Sequence, residues 1–226
     1  MSTTTCVIGA RGGIGAALCE RLARDPDAHV IGMDRDGPIP IDVADPASIE
    51  RAFAAARSEH PVLDALVVAS GILDRAKLHN LDLASWNRVL AVNLTGPFLC
   101  CQAALHWLRD GGRIVLVGSL AGRTGGVLTG TAYAVSKGGI ESLTKSIAQE
   151  LAPRAITVNC VAPGAVDTPM VRGNPPEALS AMAAATPLKR LGKASEIAAS
   201  IAYLLSEDAA YVTGSVLAVN GGIRMD

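Results

Sequence analysis

Tyr133 and Lys137 lie four positions apart in Tyr133-Ala-Val-Ser-Lys137, so in a helix the phenol and the ammonium share one face. A free tyrosine titrates near pH ~10 and is a poor base at neutral pH. A neighbouring cation favours the phenolate and lowers that value, giving a group able to exchange a proton with an alcohol or carbonyl oxygen. That proton chemistry suits hydride transfer. The spacing alone is common on solvated helix faces, so its weight comes from what accompanies it. Ser119 and Asn93 precede the pair in the chain.

A second constellation opens the chain: Gly9-Ala-Arg11-Gly-Gly13-Ile14-Gly15 directly follows an apolar run and begins a helical pattern. Glycines there permit a tight turn and close approach of the backbone to a pyrophosphate, and the helix start offers unpaired N–H groups. Asp34 follows the last glycine by about 20 residues, where a carboxylate accepts from the adenosine ribose hydroxyls and repels a 2′-phosphate. The cofactor expected is therefore NAD, with NADP the alternative because Arg11 and Arg35 soften that repulsion.

These groups need a scaffold, and the chain supplies an α/β one. Short apolar runs rich in β-branched residues (Cys6–Ile8, His29–Ile31, Leu63–Val68, Ile114–Val117, Ile156–Val161 and Val216–Val219) alternate with helical patterns. The reading is a single-domain Rossmann fold over residues 1–226: a doubly wound parallel sheet of six to seven strands with helices on both faces. Ile14, Leu18 and Leu22 mark one helix face, and Ala132–Leu151 reads as a long helix stopped by Pro153. Between Asp34 and Ile39 there are only the residues Arg35–Pro38, whereas a parallel crossover takes about a dozen or more. The helix after the second strand should be missing, with 39–42 a short extended piece or loop. Residues 170–194 are the least regular and are expected to be a mobile lid, within a substrate loop over about 165–194.

Composition narrows the function. The 226 residues are 50% hydrophobic and 18% charged, with formal net charge -1, which suits one buried core and gives no electrostatic footprint for nucleic acid or an anionic membrane. No apolar run approaches the ~20 residues of a membrane span, and no signal peptide is visible, so a cytoplasmic protein is expected. Five cysteines without C-x-x-C pairing and four scattered histidines read as reduced core residues and no metal site.

Taken together, these residues resemble the short-chain dehydrogenase/reductase family over essentially the whole chain. The family's glycine pattern falls on Gly9, Gly13 and Gly15, and its catalytic Asn, Ser, Tyr and Lys fall on Asn93, Ser119, Tyr133 and Lys137. The resemblance implies that Tyr133 is the general acid/base, that Lys137 lowers its pKa and binds the ribose, that Ser119 positions the substrate oxygen, and that Asn93 supports a water-linked proton relay. It further implies that Asp42 and Val43 border the adenine, that Ala69, Ser70 and Gly71 line the nucleotide, and that Pro163, Gly164, Val166 and Thr168 hold the nicotinamide amide. Three departures stand out. The usual Thr before the first glycine is Ile8, the usual Asn-Asn-Ala-Gly is Val68-Ala-Ser-Gly71, and the helix after Asp34 is missing. The lost amides tie neighbouring strands in relatives, and the missing helix should leave the adenine end open.

The function expected is an NAD(H)-dependent oxidoreductase interconverting a secondary alcohol and a ketone. The alternatives are an NADPH-dependent 3-oxoacyl-(acyl-carrier-protein)-type reductase and, from another class, a nucleotide-binding protein without catalysis. The partner expected is a small-molecule alcohol or ketone, and family resemblance implies a homotetramer. Arg123 and Arg172 are candidate contacts for an anionic substrate group.

Overall fold

A computed structural model describes residues 3–126 and 128–225. Strand β1 (Thr3–Ile8) leads to helix α1 (Gly13–Leu22), β2 (Ala28–Asp34), β3 (Ile39–Pro40), α2 (Pro46–Glu59) and β4 (Leu63–Val68). Helix α3 (Leu83–Leu90) passes through a π-helical turn (Ala91–Thr95) into α4 (Gly96–Ala104), followed by β5 (Leu108–Val117), α5 (Ala121–Thr124) and α6 (Thr131–Leu151). The chain then forms β6 (Thr157–Pro163), β7 (Val166–Asp167), α7 (Pro169–Arg172), α8 (Pro176–Ala185), β8 (Gly192–Lys193), α9 (Ala194–Leu205) and β9 (Val216–Val219).

The strands are buried on both sides because their apolar residues are nearly continuous. Ile8, Val68, Leu116 and Cys160 are aligned across four neighbouring strands and pack under α2, α4 and α6. On the opposite face Val7, Val67 and Val115 form a second row under Leu18 of α1 and Ile197, Ile201 and Leu204 of α9. Truncating one of these buried side chains to alanine costs about 2–5 kcal/mol.

Seven parallel strands form the sheet in the order β3-β2-β1-β4-β5-β6-β9. The chain winds one way from β1 to β3 and the other way from β4 to β9, so a crevice opens at the carboxyl ends of β1 and β4. In doubly wound folds ligands bind at this switch point.

No helix separates β2 from β3, as the short interval requires. The two strands are nonetheless parallel, pairing only Met33 with Ile39 and Asp34 with Pro40. The connection stays short because the chain loops back at the tip of β2 without crossing a face of the sheet: the N–H groups of Gly37 and Ile41 both donate to the Asp34 carbonyl, at 3.2 and 3.1 Å. Pro40, which cannot donate to a ladder, sits on this edge strand.

Helix α6 runs unbroken over 21 residues, and Pro153 falls in the 3₁₀ turn that ends it. The segment expected to be irregular contains α7 and α8, joined through Gly173 and Asn174. All five cysteines are free. Among the described residues no helix is long and apolar enough to cross a membrane.

Candidate active site

The turn after β1 is shaped by what its glycines touch. Gly9 adopts φ +83°, and a Cβ there would lie 2.7 Å from the Ser70 backbone nitrogen. A side chain at Gly13 would meet Thr168 at 2.7–2.8 Å, and one at Gly15 would collide with the Gly9 carbonyl. Helix α1 has no side-chain cap and no acidic residue in its first turn, so its leading N–H groups remain available to an anion.

At the other end of the crevice Asp34 is fixed in place. Its two carboxylate oxygens accept from the Arg11 N–H at 2.9 Å and the Arg35 N–H at 2.8 Å. Each oxygen retains acceptor capacity for a ligand hydroxyl. The Arg11 guanidinium donates to the Asp36 carbonyl at 3.0 Å, which holds it over the β2–β3 turn. Asp42 caps its own turn by accepting from the Ala44 N–H at 2.9 Å.

A groove of about 610 Å³ joins these parts, and Gly9, Arg11, Gly13, Ile14, Asp34, Arg35, Asp42, Val43, Ala69, Ser70, Gly71 and Thr168 all line it. Seven expected contacts do not: Asn93, Tyr133 and Lys137 lie beyond it, and four more are engaged elsewhere. Gly15 is packed against Gly9. Val166 is buried in the α1/α9 core. The Pro163 carbonyl accepts from the Leu120 N–H at 2.9 Å, which ties β6 to the Ser119 turn, and Gly164 packs against Asn220. The groove also includes Met170, which falls in the expected substrate loop, and Arg88, Val92 and Ile72, which the sequence reading missed. Arg88 and Val92 share a helix face four residues apart and lead into Asn93, a spacing that could have revealed them. The groove suits a dinucleotide. It has a glycine cradle that any Cβ would fill, free N–H donors for an anion, an oriented carboxylate for hydroxyls, and a buried Ser70 hydroxyl with no partner.

Beyond the groove the tetrad residues converge. A Cβ on Gly71 would lie 3.4 Å from Asn93 Oδ1 and 3.5 Å from Lys137 Nζ. The π-helical turn carries Asn93 inward, where its amide accepts from the Ile72 N–H at 2.8 Å and donates to the Ile72 carbonyl at 2.9 Å. The same amide nitrogen lies 3.2 Å from Ser136 Oγ. The side chain thus holds the loop after β4.

Lys137 is buried, its Nζ 5.9 Å from the centre of the Tyr133 ring. It donates to the Val117 carbonyl at 2.8 Å and has no carboxylate partner among the described residues. Burial pulls its pKa down to about 8, and Cys160 acts weakly the other way. The expected lowering of the Tyr133 pKa by Lys137 is not what the structure shows. Burial raises the phenol above its ordinary value, and a hydrogen bond with Ser119, not the ammonium, draws it partly back.

The two arginines considered for substrate contact are both engaged. Arg123 Nε donates to both Glu141 oxygens at 3.0 and 2.8 Å in a mostly buried pair. Arg172 donates to Asp167 at 2.7 and 3.0 Å.

The geometry agrees with the relatives. A family model described as enoyl-(acyl carrier protein) reductase matches residues 14–224. A cis-4-hydroxycyclohexanecarboxylate dehydrogenase of Sinomonas cyclohexanicum is 39% identical over 235 residues, covering 96% of this chain and 94% of that protein. The chain belongs to the short-chain dehydrogenase/reductase family. The 3-oxoacyl-(acyl-carrier-protein) reductase FabG of Escherichia coli is 38% identical, covering 97% of this chain and 96% of its own. A short-chain dehydrogenase/reductase structure from Brucella melitensis superposes with TM-score 0.93 at 35% identity, covering 99% of this chain and 97% of that one. The chain is therefore an oxidoreductase acting on CH–OH groups.

As a short-chain dehydrogenase/reductase it compensates locally for its departures. Ile8 and Val68 fill the core, and the Ala69 N–H donates to the Ile8 carbonyl at 2.9 Å, so backbone bonds join the strands. Asn220 accepts from the Gly222 N–H at 3.0 Å and donates to the Arg224 carbonyl at 3.1 Å, pinning the C-terminal turn.

Proposed function

We propose that the protein is an NAD(H)-dependent dehydrogenase interconverting a secondary alcohol and a ketone, with Tyr133 as general acid/base. The observation that carries this reading is Lys137. A buried ammonium held by one carbonyl, without a counter-charge, costs stability, and structure alone gives no reason to keep it beside a buried phenol. Two of its three donors have no protein partner among the described residues and are offered to ribose hydroxyls.

The nicotinamide, when bound, accepts or supplies the hydride. Tyr133 takes the proton from the alcohol oxygen during oxidation and returns it to the ketone oxygen during reduction. Ser119 stabilises the phenolate through the hydrogen bond that lowers its pKa and holds the substrate oxygen in reach. Asn93 fixes Ile72 and Gly71 against Lys137, so the loop after β4 forms the floor of the site. Asp34 receives the adenosine ribose hydroxyls, Asp42 and Val43 the adenine, and the Gly9–Gly15 turn with Ala69, Ser70 and Thr168 the remainder of the dinucleotide. Residues 165–194 close the substrate side. Assembly as a homotetramer rests on family likeness, with Phe98 of α4 and Val135 of α6 exposed for helix pairing.

The Sinomonas relative suggests a cyclic secondary alcohol as substrate class. An NADPH-dependent 3-oxoacyl reductase is the second reading, favoured by the Escherichia coli relative and by the Arg35 side chain beside Asp34. Dissociation constants for NAD and NADP, measured side by side, test the choice. Tighter NAD supports the dehydrogenase, and tighter NADP moves the reductase to first place.

A further inference from the structure

The loop after β4 does more than floor the site. Its Asp74 and Ala76 carbonyls accept from the N–H groups of Gly130 and Thr131 at 2.7 and 3.1 Å, which lays the loop against the first turn of α6, just before Tyr133. Arg75 lies between those two anchors and is exposed. Its Nη2 reaches across to Asn174 Oδ1 at 2.9 Å, and Asn174 in turn donates to the Val171 carbonyl at 2.6 Å. This bond joins the loop beside the tetrad to the segment that follows Thr168.

Arg75 differs in charge balance from three other arginines of the chain. Arg123 is matched by Glu141, Arg172 by Asp167 and Arg190 by Glu196. The neighbouring Lys77 donates to the Thr129 carbonyl at 2.6 Å. Arg75 has a neutral amide as its partner and no carboxylate among the described residues. A guanidinium forms stronger, bidentate bonds with a carboxylate than a single bond with an amide oxygen.

We propose that Arg75 is the anion-binding residue of the substrate site and that the substrate is a hydroxy acid, its carboxylate held by Arg75 while its carbinol faces Tyr133. This rests on the dehydrogenase reading above and adds the charge of the substrate to it.

The test uses acid and methyl ester pairs on a cyclic and a linear scaffold, cis-4-hydroxycyclohexanecarboxylate and 3-hydroxybutanoate, with wild type, Arg75→Leu and Arg75→Lys. On at least one scaffold wild type should favour the acid over its ester in kcat/KM by about 10- to 100-fold, the worth of a charged hydrogen bond. Arg75→Leu should lose that preference through a raised KM for the acid, and Arg75→Lys should recover part of it. Equal turnover of acid and ester by wild type, or an equal fall on both in Arg75→Leu, overturns the assignment and leaves the dehydrogenase reading standing. No turnover of any pair with either nucleotide removes both.

Discussion

Asn93 and Ile72 exchange two hydrogen bonds, at 2.8 and 2.9 Å, through one side-chain amide. The amide acts as one rung of a strand ladder and fixes the loop after β4 beside Lys137. Asn93→Ala leaves the Ile72 N–H and carbonyl without that partner, at about 1–3 kcal/mol each. The unfolding midpoint should fall by roughly 5–15 °C, with nucleotide affinity falling alongside. Calorimetry checks this, and an unchanged midpoint would show that the pair holds nothing.

Lys137 trades stability for function. Its pKa in the folded protein is lowered to about 8 by burial, so below that pH the fold carries the full cost of a buried charge. Between about pH 8 and the ordinary lysine value the unfolded chain binds the extra proton, and stability rises with pH. Lys137→Met should raise stability at pH 7 by about 2 kcal/mol after the lost Val117 bond is subtracted, while abolishing turnover. The gain should shrink as pH rises above 8. A destabilised variant contradicts this.

The ionisation of the Tyr133 phenol is linked to its hydrogen bond with Ser119. Burial raises the Tyr133 pKa and the Ser119 hydrogen bond lowers it. Alcohol oxidation needs the deprotonated phenol and should rise with pH, while ketone reduction should fall through the same ionisation. Ser119→Ala should move that ionisation to higher pH, as read from kcat/KM profiles in both directions. A shift to lower pH would falsify the assignment.

The proposed function places nucleotide choice at Asp34, whose carboxylate is clamped by the Arg11 and Arg35 N–H groups. Asp34→Ala removes the repulsion of a 2′-phosphate and exposes both donors beside two guanidinium groups. The ratio of NADP to NAD affinity should rise by about 10- to 100-fold, measured by titration calorimetry. An unchanged ratio would place selection elsewhere in the groove.

The sequence carried the sheet because its strands are apolar on both faces, and Arg35–Pro38 was visibly too short for a helix. It also carried the groove residues that lie at strand ends, such as Gly9, Asp34 and Gly71, since a strand end followed by a turn is a local signal. It did not carry contacts made across long separations. The Asn93–Ile72 pair, the Arg75–Asn174 bridge and the place of Arg88 in the groove depend on how loops meet once the sheet is assembled. The side chain of Val166 turns into the core for the same reason, so any part it has in the site falls to its backbone. The Tyr133 pKa followed burial, which four-residue spacing does not report.

The most direct test compares wild type with Tyr133→Phe in nucleotide absorbance at saturating NAD across a panel of secondary alcohols. Removing the acid/base group should lower kcat by about 10²–10⁴-fold and leave the NAD dissociation constant within about twofold. Equal turnover by the two proteins would contradict the role of Tyr133 on which the account rests.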